Sequence, residues 1–345
     1  MRISALSIPP MDEWRLPVGS WARTGIDWLT DTLSALFNLI STVLRWMYDL
    51  GANLFTEPST WWVGVLLTLV LTGAVALRKD WRWAAGAFVA LAAFWFINQE
   101  FLPEPQFWYP FVVLLLIALL AKGWRLALGA GLGFLLIYLM NQWDNAMHTI
   151  ALVLVTTAVA SALAIPLGIL AARSSVASAI VRPVLDFMQT MPAFVYLIPA
   201  IVLFRTGVVP GIVASIVFAM APGVRFTELG IRQVESEVVE AGHAFGATPR
   251  RILRQIQLPL ALPTIMAGIN QVIMLSLSMV VIAAMVGAPG LGQPVVSALT
   301  GVQIGLGVEA GLAVVILAMY LDRVTAALGD RAPVARALKL RAADD

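Results

Sequence analysis

Apolar residues in this chain collect into long runs separated by short polar segments. A helix needs a run of ~20 apolar residues to cross the hydrocarbon core of a bilayer. On that criterion, with allowance for shorter runs, the pattern predicts about nine membrane spans: 60–78, 81–98, 107–121, 124–140, 147–172, 188–205, 208–223, 261–287 and 305–328. Pro166 falls inside the fifth span, and Pro192 and Pro199 inside the sixth. Membrane helices tolerate proline because neighbouring groups satisfy the carbonyls it frees. The expected fold class is an all-α polytopic membrane protein.

Residues 1–59 are mixed in polarity. From Ile26 to Leu50, the residues Leu29, Leu33, Leu36, Phe37, Ile40, Val43, Leu44 and Met47 recur at helical spacing, with Asp27, Asp31, Asn38, Arg45 and Asp49 between them. This predicts an amphipathic helix that either lies on the membrane surface or packs over the membrane domain. The first four spans read as a duplicated hairpin. Leu77-Arg78-Lys79-Asp80-Trp81-Arg82 matches Leu120-Ala121-Lys122-Gly123-Trp124-Arg125, and the match runs through Gly86-Ala87 with Gly129-Ala130 to Asn98-Gln99 with Asn141-Gln142.

Composition supports the membrane reading. Charged residues make up 12% of the 345, hydrophobic ones 60%, whereas a soluble domain carries about 25% charged residues. There is no cysteine, so disulfides, thiolate chemistry and cysteine-based metal sites are excluded. The net charge of +2 comes without a basic tract, so no nucleic-acid partner is expected. A cleaved signal peptide is not expected either, because the first strongly apolar run begins only near Trp61.

Between two apolar runs, residues 224–258 mix Glu228, Glu235, Glu237 and Glu240 with arginines. Thr248-Pro249 reads as a helix start, threonine as N-cap and proline at the first helical position. The helix from Pro249 should run to Gln257 and break at Leu258-Pro259, with re-entry to the membrane near Leu260. Gly246 permits a sharp turn or a positive φ.

Within that segment, Glu240-Ala241-Gly242-His243-Ala244-Phe245-Gly246, nine residues, then Ile256-Gln257-Leu258-Pro259 resembles the EAA loop of the membrane subunits of bacterial ABC importers. One position departs, Gly242 standing where that family has alanine. Three further stretches resemble the glycine betaine/proline betaine permeases: Asp186 to Pro199, Pro259 to Gln271, and Leu275 to Ala283. The likeness covers about 145–330. The resemblance implies an ABC permease core of about five helices, with Glu240, Ala241, Gly242, His243, Gly246 and Arg250 coupling to a cytoplasmic ATPase. It also implies a periplasmic substrate-binding protein and, since two ATPases need two coupling loops and this chain has one, a permease homodimer. No G-x-x-x-x-G-K-[ST] phosphate loop is present, so ATP belongs to the partner and no cofactor is expected here. One hairpin precedes the core in that family, where this chain has two.

The domains expected are a periplasmic arm over 1–59, duplicated hairpins over 60–143, the permease core over 144–330 with its coupling loop at 224–258, and a cytoplasmic tail over 331–345. With the 224–258 loop fixed inside, alternation puts Arg78, Lys79, Arg82, Lys122, Arg125, Arg173 and Arg182 inside, as the positive-inside rule requires. The loop Asn98–Gln106 falls outside and holds Glu100 and Glu104 without a basic residue, and 289–304 falls outside without any charge. The expected location is the bacterial inner membrane, N-terminus periplasmic and C-terminus cytoplasmic, in contact with lipid.

Aromatic faces recognise quaternary ammonium groups, which makes Phe187, Phe194, Tyr196, Phe204 and Phe218 candidates for the path; helix or lipid packing is the alternative. Phe194, Tyr196, Asn270, Gln271, Ser276 and Ser278 are the pathway residues named on this reading, the last four as wet-cavity or interhelical groups. Trp61, Trp62, Trp81, Trp95, Trp108, Trp124 and Trp143 read as interfacial anchors. Glu309 and Asp322 flank the last span, and His148 and His243 have no ligand partner at metal spacing. The expected function is the permease subunit of an ATP-driven importer of glycine betaine, proline betaine or a related osmolyte. Alternatives are an ABC permease for choline or an amino acid, and an ion-coupled secondary transporter that would depend on an acid such as Glu309. If the first hairpin is an added copy, deleting 57–99 will leave the core folded and assembled in the membrane, as read by size-exclusion chromatography of the extracted protein.

Overall fold

A computed structural model describes residues 17–56 and 105–329; the first predicted hairpin, the loop after it and the C-terminal tail lie outside them. The regular elements of the described residues are all helices, with no strand among them. In chain order the helices are α1 (Val18–Thr32), α2 (Ser34–Thr56), α3 (Pro105–Lys122), α4 (Trp124–Leu139), α5 (Trp143–Arg173), α6 (Ser175–Thr190), α7 (Ala193–Phe204), α8 (Val208–Arg232), α9 (Ser236–Ala244), α10 (Pro249–Ile252), α11 (Leu258–Ser278), α12 (Val280–Ala284), α13 (Gly292–Thr300) and α14 (Ile304–Gly329).

Four helical stretches are long and apolar enough to cross a membrane: Trp143–Arg173, Val208–Arg232, Pro249–Ala284 and Ile304–Ala327. A fifth candidate is the pair α6 and α7, bent by 99°. These correspond to the five expected core spans. The α3–α4 hairpin matches the third and fourth predicted spans, but α4 has only 16 residues, about 24 Å of helix. The predicted total of nine includes two spans outside the described residues.

At the centre α8 lies between α5 and α11. Small residues set the spacing, as expected where helices cannot rely on a hydrophobic driving force in lipid. A Cβ added at Gly168 of α5 would fall 2.5 Å from Thr227 Cβ and 2.7 Å from the Val224 carbonyl oxygen of α8. One added at Gly223 of α8 would meet Ala164 Cβ at 2.9 Å and Val272 of α11 at 3.2 Å. Around this centre Phe134, Trp143, Met147, Leu152, Ile212 and Leu317 belong to one buried cluster. Tyr320 of α14 donates to the Leu114 carbonyl of α3 at 3.0 Å and locks the hairpin to the core.

Several expectations change here. The helix predicted over 26–50 is two helices with a break at Leu33. The second packs over the core, burying Leu44, Tyr48, Ala52 and Phe55, whereas α1 buries nothing. His148 shares a 2.9 Å hydrogen bond between its Nδ1 and the Tyr48 hydroxyl, which joins α5 to α2. Trp143 is buried against Phe107 and Phe134, a packing residue and not an interfacial anchor. The predicted sixth span, 188–205, is broken. Pro192 drives Met191 out of the α region to ψ 133°, because the proline ring clashes with a helical predecessor. That leaves a 12-residue α7 and a separate amphipathic α6, which begins at a Ser174 cap whose hydroxyl accepts from Ala177 N–H. The seventh span runs on to Arg232, well past the predicted 223. The uncharged loop 289–304 contains α13, which seats Gly292 directly against the Val280 carbonyl of α12.

Gly168→Val will force α5 from α8, an overpacking cost of about 1–3 kcal/mol, measured as a lowered unfolding temperature in detergent; an unshifted transition would mean the helices separate freely.

Candidate coupling surface

The first half of the motif lies on α9 and the turn that leads to α10, and its second half, Ile256 to Pro259, on the π-helical turn Leu253–Gln257 and the start of α11. The turn between α9 and α10 is a Schellman motif. Gly246 sits at φ +74°, its N–H donates to the His243 carbonyl, and the Ala247 N–H donates to the Gly242 carbonyl. A side chain at Gly246 would meet nothing within 4 Å, so glycine is required there for conformation and not for space. Thr248 is the N-cap of α10 and Pro249 its first residue, as predicted, but the Thr248 side chain makes no capping bond. Its carbonyl instead accepts from Arg251 and Ile252 N–H.

Gly242 turns inward. A Cβ there would lie 2.9 Å from Ile256 Cδ1 and 3.3 Å from Ile252 Cγ1. The two halves of the sequence pattern therefore meet, with the small residue of the first receiving the isoleucine of the second. The departure from alanine lets α9 approach more closely; its physical meaning is packing, beyond the loss of helix propensity the sequence suggests. With Gly242 inside, Glu240, Ala241, His243, Gly246 and Arg250 form an exposed face. Phe245 completes it at 91% exposure. Phe245 is a site residue beyond those expected; an aromatic in a charged segment just before a glycine turn is its signal in the sequence.

The predicted break at Leu258-Pro259 is absent. Leu253–Gln257 forms a π-helical turn that continues without interruption into α11, with Leu258 N–H donating back to the Leu253 carbonyl. Pro259 has no N–H to give the carbonyl four residues earlier and its ring would clash there. The wider turn absorbs that mismatch. The root of the segment is a small apolar cluster of Ile231, Leu253, Ala261 and Ile265.

Beside that root lies a group of charges that falls inside the expected coupling loop, 224–258, and is instead built into the end of α8. Glu228 is buried, and its Oε1 accepts from the Ser178 hydroxyl at 2.8 Å and Arg182 Nη2 at 2.9 Å, with Arg232 Nε at 3.0 Å. Arg232 also donates to the Ala171 carbonyl at the end of α5, and Arg225 pairs with Asp186. α6 and α8 are thus joined at one carboxylate, and Arg232 extends the tie to α5. The spacing Glu228/Arg232 and Ser178/Arg182, each four apart on one helix face, was the available signal.

The proposed pathway residues are not brought together. Phe194 is exposed, while Tyr196 is buried with its hydroxyl donating to the Met188 carbonyl across the α6–α7 bend. Asn270 donates to Asp322 at 2.8 Å, which places Asp322 in an interhelical bond inside α14 and not at its interfacial end. Gln271 is exposed. Ser276 is buried with a hydroxyl that has no partner, and Ser278 bonds back to the Met274 carbonyl of its own helix. Glu309 is exposed near the start of α14.

Broken and long apolar helices around a crossed core, with an exposed two-helix segment rooted in it, describe a transport-system membrane subunit. The profile of the family described as "Binding-protein-dependent transport system inner membrane component" matches residues 164–332. The glycine betaine/carnitine transport permease protein GbuB of Listeria monocytogenes is 50% identical over 92% of this chain and 97% of its own length. The glycine betaine transport system permease protein OpuAB of Bacillus subtilis is 54% identical over 62% of this chain and 77% of its own. The glycine betaine/proline betaine permease protein ProW of Escherichia coli is 48% identical over 63% of this chain and 62% of its own. A solved chain of the MetNI methionine ABC transporter in an inward-facing conformation aligns with 57% of this chain and 95% of its own, at 25% identity and a TM-score of 0.48. The chain belongs to the binding-protein-dependent ABC permeases, an inner-membrane transport family.

Glu228→Ala will strand Arg182 and Arg232 and cost about 1–3 kcal/mol, below the full penalty for breaking a buried pair because both arginines are partly hydrated. A double-mutant cycle with Arg182→Ala, read by thermal unfolding, will show coupling between the two; additive losses would mean the contact contributes nothing.

Proposed function

We propose that this chain is the permease subunit of an ATP-driven importer of glycine betaine or a related quaternary ammonium osmolyte. The substrate reading is supported by relatives of known name, one of them matched over 97% of its length, that carry glycine betaine in their names. The coupling reading rests on one observation: the face of Glu240, Ala241, His243, Phe245, Gly246 and Arg250 is exposed while Gly242 and Ile256 hold it from beneath. A surface with an aromatic at its tip and charges beside it suits docking to another protein.

In this assembly two copies of the chain form the path, each presenting its coupling face to a cytoplasmic ATPase that binds and hydrolyses ATP. A periplasmic binding protein delivers solute from the other side. The α9–α10 segment lies on the cytoplasmic face, and α1 and α2 on the periplasmic one. Closure of the ATPases moves the coupling segments, and α11, continuous with α10, carries the motion into the membrane. Asn270, Ser276 and Tyr196 are engaged or buried within one copy, which leaves Gln271, Ser278 and Phe194 as the exposed positions for contact with the second copy or the solute. The chain itself needs no cofactor.

Uptake of radiolabelled glycine betaine into proteoliposomes will require the permease, its ATPase, its binding protein and internal ATP together. Glu240→Ala, Gly246→Val and Phe245→Ala will each reduce uptake at least about tenfold, the loss of one strong interface contact, with membrane insertion retained. Glu309→Gln will transport normally. Uptake by the permease alone under an ion gradient, lost in Glu309→Gln, would replace the importer with a secondary transporter.

A further inference from the structure

The end of α8 opposite the coupling segment, ~35 Å away along a 25-residue helix, carries an unusual turn. Arg205 caps α7 at φ 65° and ψ −163°, a backbone region that is essentially glycine-only and costs of order 1–3 kcal/mol for other residues. The strained side chain opens onto a cleft of about 690 Å³ between α2 and this turn, lined by Asn38, Thr42, Arg45, Trp46, Asp49 and Arg205 among others. Among the described residues neither Arg45 nor Arg205 has a carboxylate within ion-pair distance. Two residues on, Gly207 N–H donates to the Val286 carbonyl at 2.8 Å, which fastens the turn to the chain just beyond α12. Phe37 of α2 packs edge-on to Phe204 beneath the cleft.

We propose that this cleft is a docking site for the periplasmic binding protein, receiving a surface carboxylate of that protein between Arg45 and Arg205. This rests on the importer reading above and on its orientation. Guanidinium groups present a planar fork that matches a carboxylate, and here two of them stand in one polar cleft whose lining carboxylate, Asp49, is within ion-pair distance of neither. Asn38, Thr42 and Thr206 offer neutral hydrogen-bonding groups at the rim. The cleft is open and its polar side chains are exposed, which suits a protein loop better than a small solute that must be enclosed. The Gly207–Val286 bond ties that contact to the short helices at the end of α11. Docking on one side thus bears on the element that α10 drives from the other.

The test uses the complete complex in nanodiscs, titrated with solute-loaded binding protein while ATPase stimulation is followed. Arg205→Gly removes the charge in a backbone conformation glycine prefers, so misfolding is not an issue. It and Arg45→Glu will raise the half-saturating concentration of binding protein about tenfold, the scale of a lost charge-assisted contact. Arg205→Lys will stay within about twofold and will keep the salt dependence that Arg205→Gly loses. A charge-reversed acidic residue on the binding protein will restore docking to Arg45→Glu. Unchanged half-saturation in both charge-loss variants would overturn the docking site while leaving the importer intact. Unchanged docking with a raised solute requirement would reassign the cleft to the solute. A wild-type complex that its binding protein does not stimulate would overturn the importer reading, and the docking site with it.

Discussion

A single buried carboxylate governs the geometry of one end of this molecule. Glu228 holds a serine and an arginine from α6 and an arginine from its own helix, and that last arginine reaches the end of α5. A buried charge is costly unless it is paired and hydrogen-bonded, and here three donors converge on its Oε1, two from α6 and one from α8 itself. The amphipathic α6 is therefore fixed against α8, and the direction in which the chain leaves α8 toward the coupling face is set. The tight α5–α8 crossing at Gly168 makes the same demand one turn earlier. Together they give the exposed segment a rigid base.

On that base the coupling face is a small tertiary structure of its own. Gly246 turns the chain, Gly242 admits Ile256, and Ile252 closes the gap beneath. The exposed residues owe their arrangement to the buried ones. The paired elements of the sequence pattern, separated along the chain, are two sides of one contact, and the nine residues between Gly246 and Ile256 are the length needed to fold back.

Much of this was legible in the sequence. Four of the core helices followed from apolar run length, while the fifth run proved to be two helices bent at Pro192; the turn at Gly246 and the helix start at Pro249 followed from local chemistry. What failed did so for tertiary reasons. The end of α8 was placed too early because Arg225, Glu228 and Arg232 look like loop charges, yet they satisfy partners on α5 and α6 that no local window contains. Pro192 and Pro259 were each judged by rule, and the outcomes were reversed. Proline was expected to be tolerated at 192, where the helix breaks, and to end the helix at 259, where a π turn carries it through. The scattered surroundings of Asn270, Gln271, Ser276 and Ser278 could not be read from polarity alone, since residues so spaced face different sides of α11.

The π turn at Leu253–Gln257 has a mechanical meaning. It holds one residue more than an α-helical turn, and one residue corresponds to about 100° of rotation around a helix axis. Were this surplus to migrate along the rod, the stretch it traversed would twist past its neighbours, with only local exchange of hydrogen bonds. Under the coupling proposed above, a push at Arg250 is converted into torsion of α11, so the continuous rod acts as a screw as well as a strut.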